Sequence, residues 1–295
     1  MKTVLITGAN GFVGRNLREY LETEGAYHIL CPDKKELNCI EESSVRDYLR
    51  SHSADIVLHT AIYNPRIGSG KDIHKELEYD LRMFFNFEKY TEYYGKMFYF
   101  GSGAEYDKRS PIVQVHEEDG AHAIPQGDYA FAKYIIGRQI LKSTNIYNLR
   151  IFGLFGKYEN WKAAFISGAC CKAVKGLPIT IRQNVYFDYL YVSDFCRLVR
   201  ILMEKDLRYQ EYNLVTGKRT DLRTLAGLVC EVSGMELPVY VCKDGLAPEY
   251  TASNDRLSDE IGDFSYTPVK TAVEELYRWY REREEMIDLT SLLYS

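Results

Sequence analysis

A doubly wound α/β parallel sheet followed by a smaller C-terminal α/β lobe is the fold class this chain predicts, and three features predict it. Val4-Leu5-Ile6 is a short continuous apolar run, as in a strand buried on both faces of a parallel sheet. Gly8, Gly11 and Gly14 follow at a spacing of three, and Leu17, Tyr20 and Leu21 then recur at helical intervals. Further short apolar runs alternate with amphipathic stretches through the rest of the 295 residues, a length that suits one large α/β domain or a domain plus a smaller lobe.

The glycine turn carries the first functional signal. Gly8 lets the chain leave the strand sharply. Gly11 removes a Cβ where a phosphate must approach the backbone, and Gly14 lets the next helix pack close to the sheet. The helix expected over Phe12–Glu24 offers free N–H groups and a positive dipole end to a pyrophosphate. Gly8, Asn10, Gly11, Phe12, Val13 and Gly14 are therefore expected to cradle a dinucleotide.

Bulk composition narrows the partners. The 37 basic and 42 acidic residues give a net charge of −5 with no basic run, so no nucleic-acid footprint is expected. No apolar stretch is long enough for a membrane span, and the expected location is cytoplasmic. Seven cysteines without a Cys-x-x-Cys pair read as free thiols, and no metal is expected.

Taken in order, Tyr27–Cys31 is the second strand, whose end meets the adenosine ribose in dinucleotide folds. Asp33 there suits a free 2′-hydroxyl, whereas Lys34 and Lys35, with Arg15 on the first helix turn, suit a 2′-phosphate; the balance favours NADP(H) over NAD(H). Ser43 or Ser44 is expected to cap a helix carrying Val45, Tyr48 and Leu49. Asp55–Ala61 is the next buried strand with its turn. Small Thr60 and Ala61 leave room for cofactor, and His59 reads as a satisfied strand-end residue. Ile62–Gly70 is a polar loop expected over the cofactor. A long helix is expected from Asp72 to Tyr94, carrying Leu77, Leu81, Phe84, Phe85 and Phe87.

Met97–Phe100 is strand-like and runs into Gly101-Ser102-Gly103-Ala104-Glu105-Tyr106. Asp128-Tyr129-Ala130-Phe131-Ala132-Lys133 then opens a helix, with Tyr129 and Lys133 on one face. An ammonium beside a phenol lowers the phenol's pKa from ~10 towards neutrality, so Tyr129 is expected to exchange a proton at working pH. Lys133 can also hold the nicotinamide ribose. Ser102, at a strand's C-terminal end, can bond the same substrate oxygen.

The order of glycine turn, serine after a strand and Tyr-x-x-x-Lys at a helix start resembles the extended short-chain dehydrogenase/reductase family over nearly the whole chain. The resemblance implies a Rossmann domain, a nicotinamide cofactor and a nucleotide-diphosphate sugar substrate. It makes Ser102, Tyr129 and Lys133 the catalytic triad, with Ser102, Gly103 and Ala104 beside the substrate. By the same likeness Asn38 and Cys39 touch adenine, the long helix builds a homodimer interface, and the strand Tyr147–Phe152 brings Ile151 near the nicotinamide.

The departures bear on the reaction. Sugar dehydratases of this branch carry an Asp-Glu pair where this chain has Gly103 and Ala104, and the epimerase-reductases place a cysteine and a histidine where it has Ala104 and Tyr158. Glu105 comes one place later, where alternation turns it to the other side. Simple hydride transfer remains. The expected activity is reduction of a keto group on a 4-keto-6-deoxy nucleotide sugar. A 4-epimerase with retained NAD is the alternative, and a non-catalytic dinucleotide sensor ranks below both.

Residues 1–157, with 185–214 returning to them, are expected to form the dinucleotide domain; 158–184 and 215–295 form the substrate lobe. In that lobe a helix is expected from Asn160 to Lys175, with Asn160 facing substrate, and a strand over Leu177–Ile181. Phe187-Asp188-Tyr189-Leu190-Tyr191-Val192-Ser193-Asp194 resembles a family segment whose first position is an arginine for the substrate diphosphate. Phe187 replaces it, which leaves Arg182 and Arg256 as candidate phosphate ligands. Asp194–Met203 is an amphipathic helix, Glu211–Val215 a strand, and Asp221 a cap for a helix to Ser233. A final helix is expected from Pro268-Val269 with Val273, Leu276 and Trp279 on its buried side.

Overall fold

The computed structural model describes residues 1–65 and 70–293. Residues 66–69, inside the loop expected over the cofactor, lie outside the described residues. In chain order the first elements are β1 (Lys2–Thr7), α1 (Phe12–Glu24), β2 (Tyr27–Leu30), α2 (Glu42–Ser51), β3 (Ala54–His59), α3 (Glu76–Glu88), β4 (Tyr94–Ser102), β5 (Ile112–Val115), α4 (Asp128–Ile140) and β6 (Ile146–Ile151). Then come β7 (Gly153–Phe155), α5 (Phe165–Val174), β8 (Ile179–Asn184), β9 (Tyr186–Tyr191), α6 (Val192–Glu204), β10 (Glu211–Leu214), β11 (Arg219–Asp221) and α7 (Leu222–Ser233). The chain closes with β12 (Val239–Leu246), β13 (Tyr250–Ala252), α8 (Asp255–Ile261), α9 (Val269–Arg281) and α10 (Leu289–Leu293). Contacts group these into two compact units: residues 1–109, 116–151 and 198–214, and residues 110–115, 152–197 and 215 onward.

The first unit holds, among the described residues, a six-stranded sheet in the order β2-β1-β3-β4-β6-β10, parallel throughout. Its strands read as apolar runs because both faces are covered: Val4, Leu5, Ile6, Val57, Leu58, Met97 and Phe98 are fully buried. Leu5, Val45, Leu49, Phe84, Phe87, Met97 and Ile136 share one core. From β1 the chain steps to β2 on one side and then to β3 on the other. That reversal opens a crevice at the C-terminal ends of β1 and β3, where open parallel sheets bind ligands.

The second unit, taken by itself, has a sheet ordered β11-β9-β13-β5, with β7 added on β9, and a two-stranded parallel pair of β12 and β8. Helices α5, α7 and α9 pack around Cys170, Cys171, Leu225, Val229, Val273 and Leu276. Asp221 caps α7 by accepting from the Arg223 and Thr224 N–H groups, as its position predicts.

Several boundaries differ from the sequence reading. The long helix is shorter: Asp72 caps a single 3₁₀ turn through the His74 N–H, α3 ends at Glu88, and β4 has begun by Tyr94. The strand takes Tyr94 because Ala54 of β3 pairs with it, and tyrosine suits a half-buried pleat. Helix α2 has Glu41 at its N-cap with no side-chain cap; Ser44 instead accepts from the Asn38 N–H at 3.0 Å. Asn160 opens a turn, accepting from Ala163 and Ala164, and α5 starts only at Phe165. On α9 the buried face carries Val273 and Leu276 as expected, but Tyr277 and Tyr280 complete it while Trp279 is half-buried.

Candidate active site

The glycine turn occupies the crevice between β1 and β3. Gly8 has φ +65°, a conformation that favours glycine, and a Cβ there would lie 2.9 Å from the Ala61 backbone. A Cβ on Gly14 would lie 2.5 Å from the Gly8 carbonyl and 2.6 Å from Thr60 Oγ1. The turn closes with the Gly11 N–H on the Gly8 carbonyl at 2.9 Å. Thr60 Oγ1 donates to the Thr7 carbonyl at 2.6 Å, and the Ala61 N–H donates to Thr7 Oγ1 at 3.2 Å. Asn10 and Gly11 are exposed, and α1 begins without a side-chain cap or an acid in its first turn. Its positive end is uncompensated, as an anion requires. Phe12 and Val13 stand half-buried on that first turn. These residues fit a dinucleotide's pyrophosphate.

The other contacts expected for the cofactor lie within the same unit. Arg15 is exposed and pairs with Glu19 at 3.2 Å. Lys34 is exposed in a turn that Asp33 organises by accepting from the Lys35 and Glu36 N–H groups. Asn38 Oδ1 accepts from the Ile40 N–H, and Cys39 is buried, its thiol pushed up to about 12 by desolvation. Ile151 ends β6 directly opposite Ser102 on β4.

Ser102 ends β4 and caps a one-turn 3₁₀ helix, its Oγ accepting from the Ala104 N–H at 3.1 Å. The Ser102 hydroxyl lies close enough to the Tyr129 phenol to act on its titration. Lys133 is 2 % exposed on α4, with its ammonium 5.7 Å from the Tyr129 ring centroid and 4.4 Å from that of Tyr99. The structure thus brings Ser102, Tyr129 and Lys133 near one another.

One electrostatic expectation fails. Tyr129 is raised above the usual phenol value, not lowered. Desolvation is the main cause, the nearby Ser102 hydroxyl opposes it, and the charges of Asp80, Glu105 and Glu76 add to it. Lys133 does not offset this. Its ammonium donates to the Phe100 carbonyl at 2.7 Å, and burial pushes it down to about 8, partly countered by Asp80 and Glu105. In this state the phenol is held protonated.

Sequence reasoning passed over the acids behind this site. Asp80 on α3 is 4 % exposed; its Oδ1 accepts from the Tyr63 N–H at 2.6 Å, and its buried Oδ2 has no hydrogen-bond partner among the described residues. An acid at a buried helix position that reads as a solvated charge is the signal that was available. Glu105 is 1 % exposed on the 3₁₀ turn after Ser102, where strand alternation no longer applies, and its carboxylate accepts from Arg150 Nε at 2.6 Å and Asn148 Nδ2 at 3.0 Å. Arg150 also donates to Glu211. Gly103 and Ala104 are buried beside Ser102.

The candidate substrate ligands of the second unit are placed by its own elements. Asn160 Oδ1 accepts from the Lys162 N–H at 3.3 Å within its turn. Arg182 is exposed on β8, and Arg256 is half-buried on the first turn of α8. Phe187 is half-buried in a run of rings with Tyr189 at 5.5 Å and Tyr250 at 5.7 Å.

A glycine turn at the reversal of a parallel sheet, with a serine, a tyrosine and a lysine gathered at neighbouring element ends, defines a nicotinamide-dinucleotide-dependent enzyme of the oxidoreductase and epimerase type. The sequence pattern of the NAD dependent epimerase/dehydratase family matches residues 4–214, and the chain belongs to that family. It is 22% identical to a GDP-mannose 3,5-epimerase from Oryza sativa subsp. indica, across 96% of this chain and 82% of that protein. It is 25% identical to a dTDP-4-dehydro-6-deoxy-D-allose reductase from a Streptomyces species, across 95% and 96% respectively. Its fold is similar to that of a GDP-mannoheptose C4 reductase from Campylobacter jejuni with NADP bound, at a TM-score of 0.80, 18% identity and coverage of 95% and 98%. Among the described residues, no helix is long and apolar enough to cross a membrane, and no group of three or more His, Cys, Asp or Glu side chains is placed to hold a metal ion.

Proposed function

We propose that this protein reduces a keto group on a nucleotide-diphosphate sugar, of the 4-keto-6-deoxy type, with NADP(H) as the favoured cofactor. The observation that carries the reading is Tyr129 gathered with Ser102 and Lys133, its phenol held in the protonated form by burial. A reduced nicotinamide, when bound, supplies hydride to the carbonyl carbon. Tyr129 gives its proton to the carbonyl oxygen, Ser102 orients that oxygen, and Lys133 steadies the phenolate left behind and the ribose hydroxyls. Carbonyl plus hydride plus proton yields the alcohol, and solvent restores the phenol's proton. Gly103 and Ala104 offer no acid or base for elimination, and Glu105 is engaged by Arg150. Lys34 and Arg15 supply the positive charge for a 2′-phosphate.

Substrate recognition is assigned to Ser102, Gly103, Ala104, Asn160, Arg182 and Arg256. We take the first compact unit as the cofactor domain and the second as the substrate lobe, so that residues 110–115, 152–157 and 185–197 join the lobe. The active form is read as a cytoplasmic homodimer, supported by Leu77, Leu81 and Phe85, which α3 leaves only half-buried.

The test uses purified protein, NADPH and a panel of 4-keto-6-deoxy sugar nucleotides. Nicotinamide absorbance should fall with at least one of them. Tyr129→Phe should lose on the order of 10²-fold or more in kcat while NADPH affinity stays within about twofold. No oxidation with any ketone sinks the reading. A 4-epimerase is the second reading, since the same three side chains, Ser102, Tyr129 and Lys133, are all that such a reaction uses. Tightly retained NAD, sugar interconversion and no net cofactor turnover would establish it.

A further inference from the structure

We propose that Glu105 is the positioning residue for Ser102, holding the serine against Tyr129 from its seat between β4 and α4; the inference rests on the reading of Ser102 and Tyr129 as the proton-delivery pair. Ser102 and Glu105 form a reciprocal pair of bonds. The serine Oγ accepts from the Ala104 N–H, and the Ser102 N–H donates to Glu105 Oε1 at 3.1 Å. The first bond takes one lone pair of the hydroxyl, so the remaining lone pair and the proton are left for Tyr129 and a carbonyl oxygen. The second bond fixes the backbone from which that hydroxyl hangs.

Glu105 does not hold itself. Arg150 Nε and Asn148 Nδ2, both on β6, grip its carboxylate, and Glu211 of β10 grips Arg150 in turn. The molecule makes room for the carboxylate: a Cβ on Gly101 would lie 2.3 Å from Glu105 Oε1, and one on Gly137 of α4 would lie 2.5 Å from Oε2. So Glu105 is wedged between the strand that carries Ser102 and the helix that carries Tyr129 and Lys133. A carboxylate this buried costs several kcal/mol unless it is paired, and apolar side chains fill such a space more cheaply. Here Arg150 and Asn148 pair the charge, and the carboxylate also accepts from the N–H of the serine.

The same carboxylate acts on the phenol through space. Tyr129 faces Ser102 and Tyr99 from β4, Asp80 and Glu76 from α3, Glu105 behind the serine and Lys133 on its own helix. Removing the Glu105 charge takes away one influence that disfavours phenolate and leaves Asp80 and Glu76 in place.

Two variants separate position from charge. Glu105→Gln keeps an acceptor for the Ser102 N–H without the charge, and Glu105→Ala keeps neither. NADPH affinity should hold within about twofold in both, with kcat down about fivefold in Gln and on the order of 10²-fold in Ala at near-constant KM for the sugar nucleotide. A second readout needs no substrate. The tyrosinate absorbance titration of each protein, taken against its Tyr129→Phe counterpart, should move to lower pH in both variants. Parental kcat in Glu105→Ala overturns the proposal. So do losses that track melting temperature while the Tyr129 titration stays put. If the alanine variant does not fold, the glutamine titration decides alone. A parent that reduces no ketone sinks the reductase reading, and the Tyr129 titration still decides Glu105.

Discussion

His59 ends β3 with its ring between Phe87 at 4.9 Å and Tyr99 at 6.1 Å, and its Nδ1 lies 3.2 Å from Thr7 Oγ1. Desolvation, helped by the Lys133 charge, pushes it down to about 3. The unfolded chain binds this proton below ~6.5, whereas the folded chain refuses it until about pH 3. Stability is therefore lost as pH falls through that window, by up to about 1.4 kcal/mol per pH unit from this one group. In His59→Phe the urea midpoint should fall less steeply between those limits than in the parent; equal slopes would show that His59 carries no such linkage. At this scale the sequence told a great deal where partners are close along the chain. Tyr129 and Lys133 lie one helical turn apart, and Gly8 to Gly14 form one turn. It said little about Glu105, whose partners Asn148 and Arg150 lie 43 and 45 residues away, or about Arg150 and Glu211, 61 apart. Such pairs leave no spacing to read. The same limit misled the electrostatics: four-residue spacing predicts that Lys133 acidifies Tyr129, but burial and acids from other elements raise the phenol, and the ammonium is bonded to the Phe100 carbonyl.

Helix α1 shows how tightly one element is tied to its neighbours. Its N-terminus meets the sheet at Gly14, where a methyl group would run into the Gly8 carbonyl and Thr60 Oγ1. Gly14→Ala must therefore push the helix start outward, an overpacking cost of about 1–3 kcal/mol. The expected result is at least tenfold weaker NADPH binding in a fluorescence titration, with far-UV dichroism unchanged; parental affinity would mean that the turn yields freely. Elements with clear end signals were read well. Asp221 begins α7 and Gly25 stands after α1 in the left-handed conformation. Helix α3 was overextended because its apolar residues continue in period into Tyr90, Tyr93 and Tyr94. Pairing of Tyr94 with Ala54, and the Tyr94 hydroxyl on the Phe87 carbonyl at 3.0 Å, stop it earlier. Those are tertiary facts, absent from a one-dimensional pattern.

For the molecule as a whole, seven free cysteines make a simple prediction. Cys39, Cys170, Cys171 and Cys196 are buried, Cys31 and Cys230 are half-buried, and Cys242 on β12 is exposed. Burial raises the Cys39, Cys170 and Cys171 thiols, which slows their reaction further. A native thiol titration should show one fast group, lost in Cys242→Ser, and seven groups in denaturant. Several fast groups in the native state would contradict this packing. The fold class was legible at this scale because buried runs and amphipathic helices alternate regularly. The path that carries residues 110–115 into the second unit, as β5 beside β13, was not, since a four-residue strand leaves almost no pattern.

The sheet's last strand has a consequence for how the chain matures. β10 comes from residues 211–214, sixty positions after β6, yet it lies beside β6 and delivers Glu211 to Arg150. A ribosome that has released only the first half of the polypeptide has made the glycine turn, the serine, the tyrosine and the lysine. It has not made the rung that closes the sheet or the second carboxylate of the buried arginine. The nucleotide-binding half thus cannot be excised as one contiguous fragment, and a nascent chain must wait for residues 198–214, in its last third, before that half is complete.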